Sequence, residues 1–200
     1  MKHGAGKANR WEDHYTRRAR KESYPARSVY KLQEIQKRFG LIRRGNAVLD
    51  LGCAPGSWLI HTADLVGASG RVVGVDLAPA TVSLPAHVDI HTKDVFELVE
   101  DPAAFFGRLF DVVLSDMAPA TTGSRGVDAA RSHQLCEAAL AIARKVLRPG
   151  GALVCKIFQG EDFKAFTEAV KNDFSECKLF KPQSCRKASK EIYIIGKGKK

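Results

Sequence analysis

The chain is 200 residues long, 44% hydrophobic and 27% charged, with a formal net charge of +10. That length and apolar content fit one folded domain with a sizeable core, and no apolar run reaches the ~20 residues that span a membrane as a helix. The charge is uneven: residues 1–44 carry a net of +9, residues 45–177 a net of −6 and residues 178–200 a net of +7, which points to a polyanion, nucleic acid before an anionic membrane surface, as partner.

Residues 1–24 are polar and basic, with Trp11 and Tyr15 interleaved, and read as a basic arm, flexible or loosely docked. The arm lacks the apolar segment of a secretory leader. The single domain is expected over 25–200. After Pro25, Val29, Leu32, Ile35 and Phe39 form one helical stripe that Gly40 ends, with Lys31 beside it. From Asn46 onward strands and helices alternate. Strands are predicted at 46–51, 71–76, 88–92, 110–115, 151–157, 177–181 and 191–195. Helices are predicted at 57–66, near 101–107, at 127–147, where Pro149-Gly150-Gly151 stops the last, and at 161–172. The first strands are continuous apolar runs, as in a parallel sheet buried on both faces. The fold class is a doubly wound, Rossmann-like α/β sheet, whose ligands bind at the carboxyl ends of the strands.

The most informative stretch is the strand, loop and helix start over 46–58. Asp50 closes the strand, the loop holds Gly52, Cys53, Ala54, Pro55 and Gly56, and the helix opens with Ser57 and Trp58. The loop lacks the G-x-G-x-x-G cradle of a dinucleotide and the lysine of a phosphate-binding P-loop. A carboxylate at Asp50 opposes a diphosphate and favours a ligand with an ammonium or sulfonium. Acids recur at the following strand ends: Asp76, Asp94 and Asp116. Each alone could cap a helix, but four on one sheet edge point to a cofactor site. Asp76, one βαβ unit after Asp50, is placed to accept both hydroxyls of a ribose. A nucleoside with a cationic amino-acid tail satisfies all of this, and S-adenosylmethionine is the expected cofactor.

Lys156 stands near the end of an otherwise apolar strand and would point into the same cleft, where lost hydration favours a proton-accepting amine. Glu191 opens the last strand. None of the six histidines has metal-ligand spacing, and no metal is expected. Five scattered cysteines without a CxxC pair argue against a disulfide framework and for a cytoplasmic protein.

From about Trp11 onward the chain resembles the FtsJ/RrmJ ribosomal RNA 2′-O-methyltransferases. The resemblance rests on Ser28-Val-Tyr-Lys-Leu-Gln-Glu-Ile-Gln36, Asp50-Leu-Gly-Cys-Ala-Pro-Gly-Ser-Trp58, Ser115-Asp-Met-Ala-Pro119, Lys156-Ile-Phe-Gln-Gly160 and Ser189-Lys-Glu-Ile-Tyr193. It implies a catalytic set at Lys31, Asp116, Lys156 and Glu191. It also implies S-adenosylmethionine contacts from Gly52 to Trp58 and at Asp76, Asp94 and Asp116. Seven strands are implied, the last antiparallel and inserted between the fifth and sixth. Cys53 and Ser57 stand where that family commonly has alanine and glycine, and Ala120 where it has asparagine. The expected reaction is methylation of a ribose 2′-hydroxyl, that of a uridine, in large-subunit ribosomal RNA by a monomer. The partner is then the RNA or the large ribosomal subunit. The competing readings are a transfer RNA ribose methyltransferase, a non-catalytic RNA-binding assembly factor and a small-molecule methyltransferase.

Overall fold

The computed structural model describes residues 14–80, 82–120, 122–186 and 189–200. Two helices come first, α1 (His14–Lys21) and α2 (Val29–Phe39). Then follow β1 (Ala47–Leu51), α3 (Ser57–Val66), β2 (Arg71–Asp76), β3 (Val88–Thr92), α4 (Val95–Leu98), α5 (Pro102–Phe106) and β4 (Phe110–Ser115). The chain continues through α6 (Arg125–Val146), β5 (Leu147–Phe158), α7 (Phe163–Asp173), β6 (Phe174–Phe180) and β7 (Glu191–Lys199). The seven strands form one sheet in the order β3-β2-β1-β4-β5-β7-β6. The pairs from β3 to β5 are parallel, and β7 runs antiparallel between β5 and β6. This is the doubly wound α/β sheet expected, with the last strand reversed. No described helix is long and apolar enough to cross a membrane.

Side chains alternate across a strand, and that alternation builds two cores. Leu49, Leu51, Val73, Val113 and Leu153 pack against α6 and α7 through Ala139, Ile142 and Phe166. Val48, Val72, Leu114, Val154 and Tyr193 pack against α2 and α3 through Leu32, Ile35, Leu59 and Val66. Most of these side chains are fully buried, each contributing about 1.5–3 kcal/mol from apolar burial. Carried two residues further, the same alternation takes Leu114 to Asp116, Val154 to Lys156 and Tyr193 to Glu191. The polar groups at the strand ends therefore emerge on the face covered by α2, the helix that carries Lys31.

Four boundaries differ from the sequence expectation. Residues 14–21 of the basic arm form α1, whose buried Ala19 packs with Val29 and Tyr30; Trp11 lies outside the described residues. Helix α6 ends at Val146, before the Pro-Gly-Gly segment, and β5 already begins at Leu147, which pairs with Phe110 ahead of a register shift. The glycines mark an irregular strand start, because buried Leu147 has a partner on β4. Strands β6 and β7 reach Phe174 and Lys199, which are paired to each other, so ladder pairing extends both strands past their continuous apolar runs. A short helix, α4, follows β3 and is capped by Asp94.

Candidate active site

Loops at the carboxyl ends of β1, β2 and β4 enclose a cleft of about 350 Å³. Gly52 and Ala54 line it after β1, Asp76 and Leu77 at the end of β2, Asp94 and Phe96 beyond β3, and Asp116 and Met117 after β4. Two glycines let the loop after β1 fit. Gly52 has φ +80, and a Cβ there would stand 2.6 Å from Met117 Cγ and 3.0 Å from its Cα. At Gly74, within β2, a Cβ would stand 2.8 Å from Cys53 Sγ, so the missing side chain lets the loop rest on the sheet.

Asp76 ties two loops together: Oδ2 accepts from the Ala54 N–H at 2.8 Å and Oδ1 from the Ala78 N–H at 2.9 Å. A carboxylate has about four acceptor sites, so Asp76 keeps capacity for ribose hydroxyls. Asp94 Oδ1 accepts from the Phe96 N–H at 2.9 Å, which caps α4. For Asp94, helix capping and a place on the cleft wall coexist.

Asp50 lies deeper than expected. It is 0% exposed, is not on the cleft lining, and neither carboxylate oxygen has a hydrogen-bond partner among the described residues. Burial, and then the charges of Asp116 and Asp76, push its pKa well above the usual carboxylate range. Alternation turns it onto the α2 face with Val48, beneath the cleft floor. A cation bound above would favour the ionised form of this unpartnered carboxyl, so the site fits a ligand with a positive tail.

The expectation over 52–58 narrows. Gly52 and Ala54 line the cleft, whereas Cys53, Pro55, Gly56, Ser57 and Trp58 do not. Cys53 is a buried core residue. Ser57 Oγ accepts from the Ala26 N–H at 2.7 Å and donates to its carbonyl, at 3.0 Å. Trp58 Nε1 donates to the Ser28 carbonyl at 2.9 Å. These two side chains clamp the segment entering α2 and so fix the helix that carries Lys31. The unusual Cys53 and Ser57 thus face away from the cleft.

Lys31, Asp116, Lys156 and Glu191 meet at the rim. Lys31 Nζ lies 2.9 Å from Glu191 Oε2, and Lys156 Nζ 3.0 Å from Asp116 Oδ1, while Lys156 also donates to the Asp116 carbonyl. Lys156 is only 6% exposed and Glu191 9%. Burial would raise the Asp116 carboxyl, but the ammonium groups of Lys156 and Lys31 and a hydrogen bond from Tyr193 hold it below its usual range. Burial would lower the Lys31 pKa, but Asp116 and Glu191 outweigh it and raise it above the ordinary lysine value.

Sequence reasoning missed Tyr193. Its hydroxyl donates to Asp116 Oδ1 at 2.6 Å, and its fully buried ring stacks on Trp58 with centroids 6.1 Å apart. The available signal was its place two residues after Glu191 on one strand face. Also missed was a second hollow, about 270 Å³, lined by Arg27, Ser28, Lys31, Arg186, Ser189 and Glu191. Glu34 braces it from α2 by accepting from the Gln183 and Ser184 N–H groups at 2.6 and 2.9 Å. Nothing in the local sequence pairs residue 34 with 183. Among the described residues, no three His, Cys, Asp or Glu side chains are grouped to hold a metal ion.

A family model described as FtsJ-like methyltransferase matches residues 24–199. The ribosomal RNA large subunit methyltransferase E of Desulforapulum autotrophicum is 61% identical over 194 residues, covering 97% of this chain and 96% of its own. Among solved structures, a Plasmodium falciparum protein named provisionally as a ribosomal RNA methyltransferase aligns with TM-score 0.75 at 21% identity, over 88% of this chain and 98% of its own. Human methyltransferase-like protein 13, in complex with SAH, aligns with TM-score 0.63 at 15% identity, over 84% of this chain and 81% of its own. The two structures establish a shared fold. The family model and the bacterial relative, both spanning most of the sequence, establish more: the chain belongs to the FtsJ-like methyltransferase family.

Proposed function

We propose that the chain transfers a methyl group from S-adenosylmethionine to a ribose 2′-hydroxyl of large-subunit ribosomal RNA. The observation that carries this reading is the meeting of Lys31, Asp116, Lys156 and Glu191 beside an acid-lined cleft. The names of the bacterial relatives support the RNA, and the basic hollow beside the four residues supports a nucleotide's phosphate.

S-adenosylmethionine is the methyl donor, and its sulfonium supplies a methyl group already activated for displacement. Asp76 would accept its ribose hydroxyls, and exposed Leu77 and Phe96 would give its base apolar cover. Gly52, Ala54 and Asp94 complete the wall, and Asp50 and Asp116 offset the cationic tail. Bound there, the donor would present its methyl carbon to the acceptor 2′-oxygen, the new C–O bond replacing the C–S bond and the electron pair staying on sulfur. Lys156 takes the proton of the hydroxyl, or holds the oxygen by a hydrogen bond while that proton passes to solvent; Asp116 fixes Lys156, Tyr193 fixes Asp116, and the Lys31–Glu191 pair positions the target nucleotide.

Lys156→Ala is expected to abolish methyl transfer to purified large subunits while cofactor affinity stays within about twofold, since the substitution removes only the acceptor's partner. Near-normal turnover of that variant overturns the assignment. A parallel assay on transfer RNA separates the two RNA substrates, and mapping the product identifies the nucleotide.

A further inference from the structure

The opposite edge of the sheet carries cationic surface that the chemistry above does not use. Strands of a parallel sheet all start on one edge, and here basic residues stand at those starts: Arg43 before β1, Arg71 opening β2, Arg108 before β4 and Arg148 in β5. At their other ends β1, β2 and β4 carry Asp50, Asp76 and Asp116, whereas β5 carries Lys156, so acids outnumber bases at the cleft side and bases outnumber acids here. Two adjoining hollows of about 330 and 320 Å³ share Arg148 on this edge. Arg43 and Lys197 line the first, and Arg71 and Arg108 the second.

Asp111 is the only acid among the described lining residues, and it is already engaged. Its Oδ2 accepts from the Ala47 N–H at 2.7 Å and its Oδ1 lies 2.9 Å from Arg148. Arg71 pairs with Asp89, and Lys197 lies 3.8 Å from Glu176. Arg43 and Arg108 are exposed and form no ion pair among the described residues. Planar guanidinium forks on a concave surface match phosphate oxygens. A membrane surface fits poorly, because Leu109, 45% exposed, is the only large hydrophobic on either lining that stands out into solvent.

We propose that this arginine edge docks a second stretch of RNA phosphate backbone, remote from the ribose being methylated. The inference rests on the RNA reading above and adds a partner surface to it. A strand of five or six residues separates the two edges by about 17–20 Å. Stacked nucleotides advance about 3.4 Å each, so a single nucleotide cannot reach both edges and a long or folded RNA is required.

The test compares the wild-type chain with the double variant Arg43→Glu/Arg108→Glu, two residues outside the cleft and its rim. Affinity for protein-free large-subunit ribosomal RNA is measured over a salt gradient, beside a dinucleotide RNA and anionic phosphatidylserine vesicles. The expected result is an affinity for the long RNA about tenfold lower at low salt and a salt dependence shallower by about 1.5–2 in log–log slope. Affinity for the dinucleotide and for S-adenosylmethionine should not change. Unchanged long-RNA affinity and slope overturn the proposal, as does an equal loss on the dinucleotide. A loss confined to the vesicles reassigns the edge to a membrane and also overturns it. If the wild type binds RNA through this edge yet methylates no ribose, the proposed reaction fails while the docking edge stands.

Discussion

Asp50 shows how a site residue can weaken the fold that holds it. Its carboxylate is buried without a hydrogen-bond partner among the described residues, and its raised pKa means that folding opposes its ionisation. The folded state holds a proton that the unfolded chain releases, so this residue's effect on stability worsens as pH rises from the usual aspartate value towards the folded one. Asp50→Asn is therefore expected to raise the neutral-pH unfolding midpoint of the ligand-free protein by about 3 °C, for about 1 kcal/mol, and to weaken S-adenosylmethionine binding about tenfold, for about 1.4 kcal/mol. Calorimetry with and without cofactor checks both signs. The rim behaves oppositely. Lys31 is raised by Asp116 and Glu191 against its burial, so its pairing supports the fold below the ordinary lysine value and fades as pH rises through the folded one. Glu191→Gln removes one of those carboxylates and should move the alkaline unfolding midpoint to lower pH, measured by circular dichroism. The acid at 50 and the lysine at 156 were readable because each interrupts an apolar run. The direction of each side chain was not, because it depends on strand register against neighbours far away in the chain.

At the scale of elements, α2 matters most for the site. Three links hold it: Ser57 and Trp58 grip its entry, and Glu34 pins the loop that leads to Glu191. Glu34→Ala should leave cofactor affinity unchanged but raise the KM for RNA several-fold, for the loss of about 1 kcal/mol of loop ordering. Faster amide exchange over 183–186 would confirm that the brace is what was lost. Gly74→Ala tests the other support. Its new Cβ meets Cys53 Sγ and the Leu59 side chain below 3.0 Å. The loop after β1 must lift, with a stability cost of about 1–3 kcal/mol and weaker cofactor binding, read by thermal shift and calorimetry. The helical stripe of α2 and its stop at Gly40 were plain in the sequence. The brace was hidden, because a half-buried glutamate on a helix has no local signature for a partner 149 residues on.

At the scale of the molecule, charge and fold are arranged separately. Helix α1 adds a small cluster, Ala19 with Val29 and Tyr30, apart from the two main cores. Tyr30 also donates to Glu22 at 2.9 Å, and Arg18 lies over its ring. Removing residues 1–24, with seven basic and three acidic residues, should lower the unfolding midpoint by only a few degrees, for about 1–2 kcal/mol. It should raise the KM for RNA by about tenfold at low salt, because counterion release scales with the cations removed. A folded far-ultraviolet spectrum with a lost midpoint of more than ten degrees would show that α1 is part of the main core instead.

Sequence alone determined the α/β class, the acids at the carboxyl ends of strands, the loop after β1 and the lysine at 156 in its apolar strand. Each of these is written in short-range pattern: apolar runs, their terminating residue, and helical or strand spacing. Lys31 and Glu191 have no such local signature and entered only through the family resemblance, which implied the set of four. Only the tertiary structure decided that Asp50 lies beneath the cleft while Asp76 and Asp94 form its wall, that Tyr193 joins the rim, and that arginines from four separate strand starts share one edge. Those facts follow from which strands lie side by side and which way each one faces. Long-range packing sets both, and no window of neighbouring residues contains them.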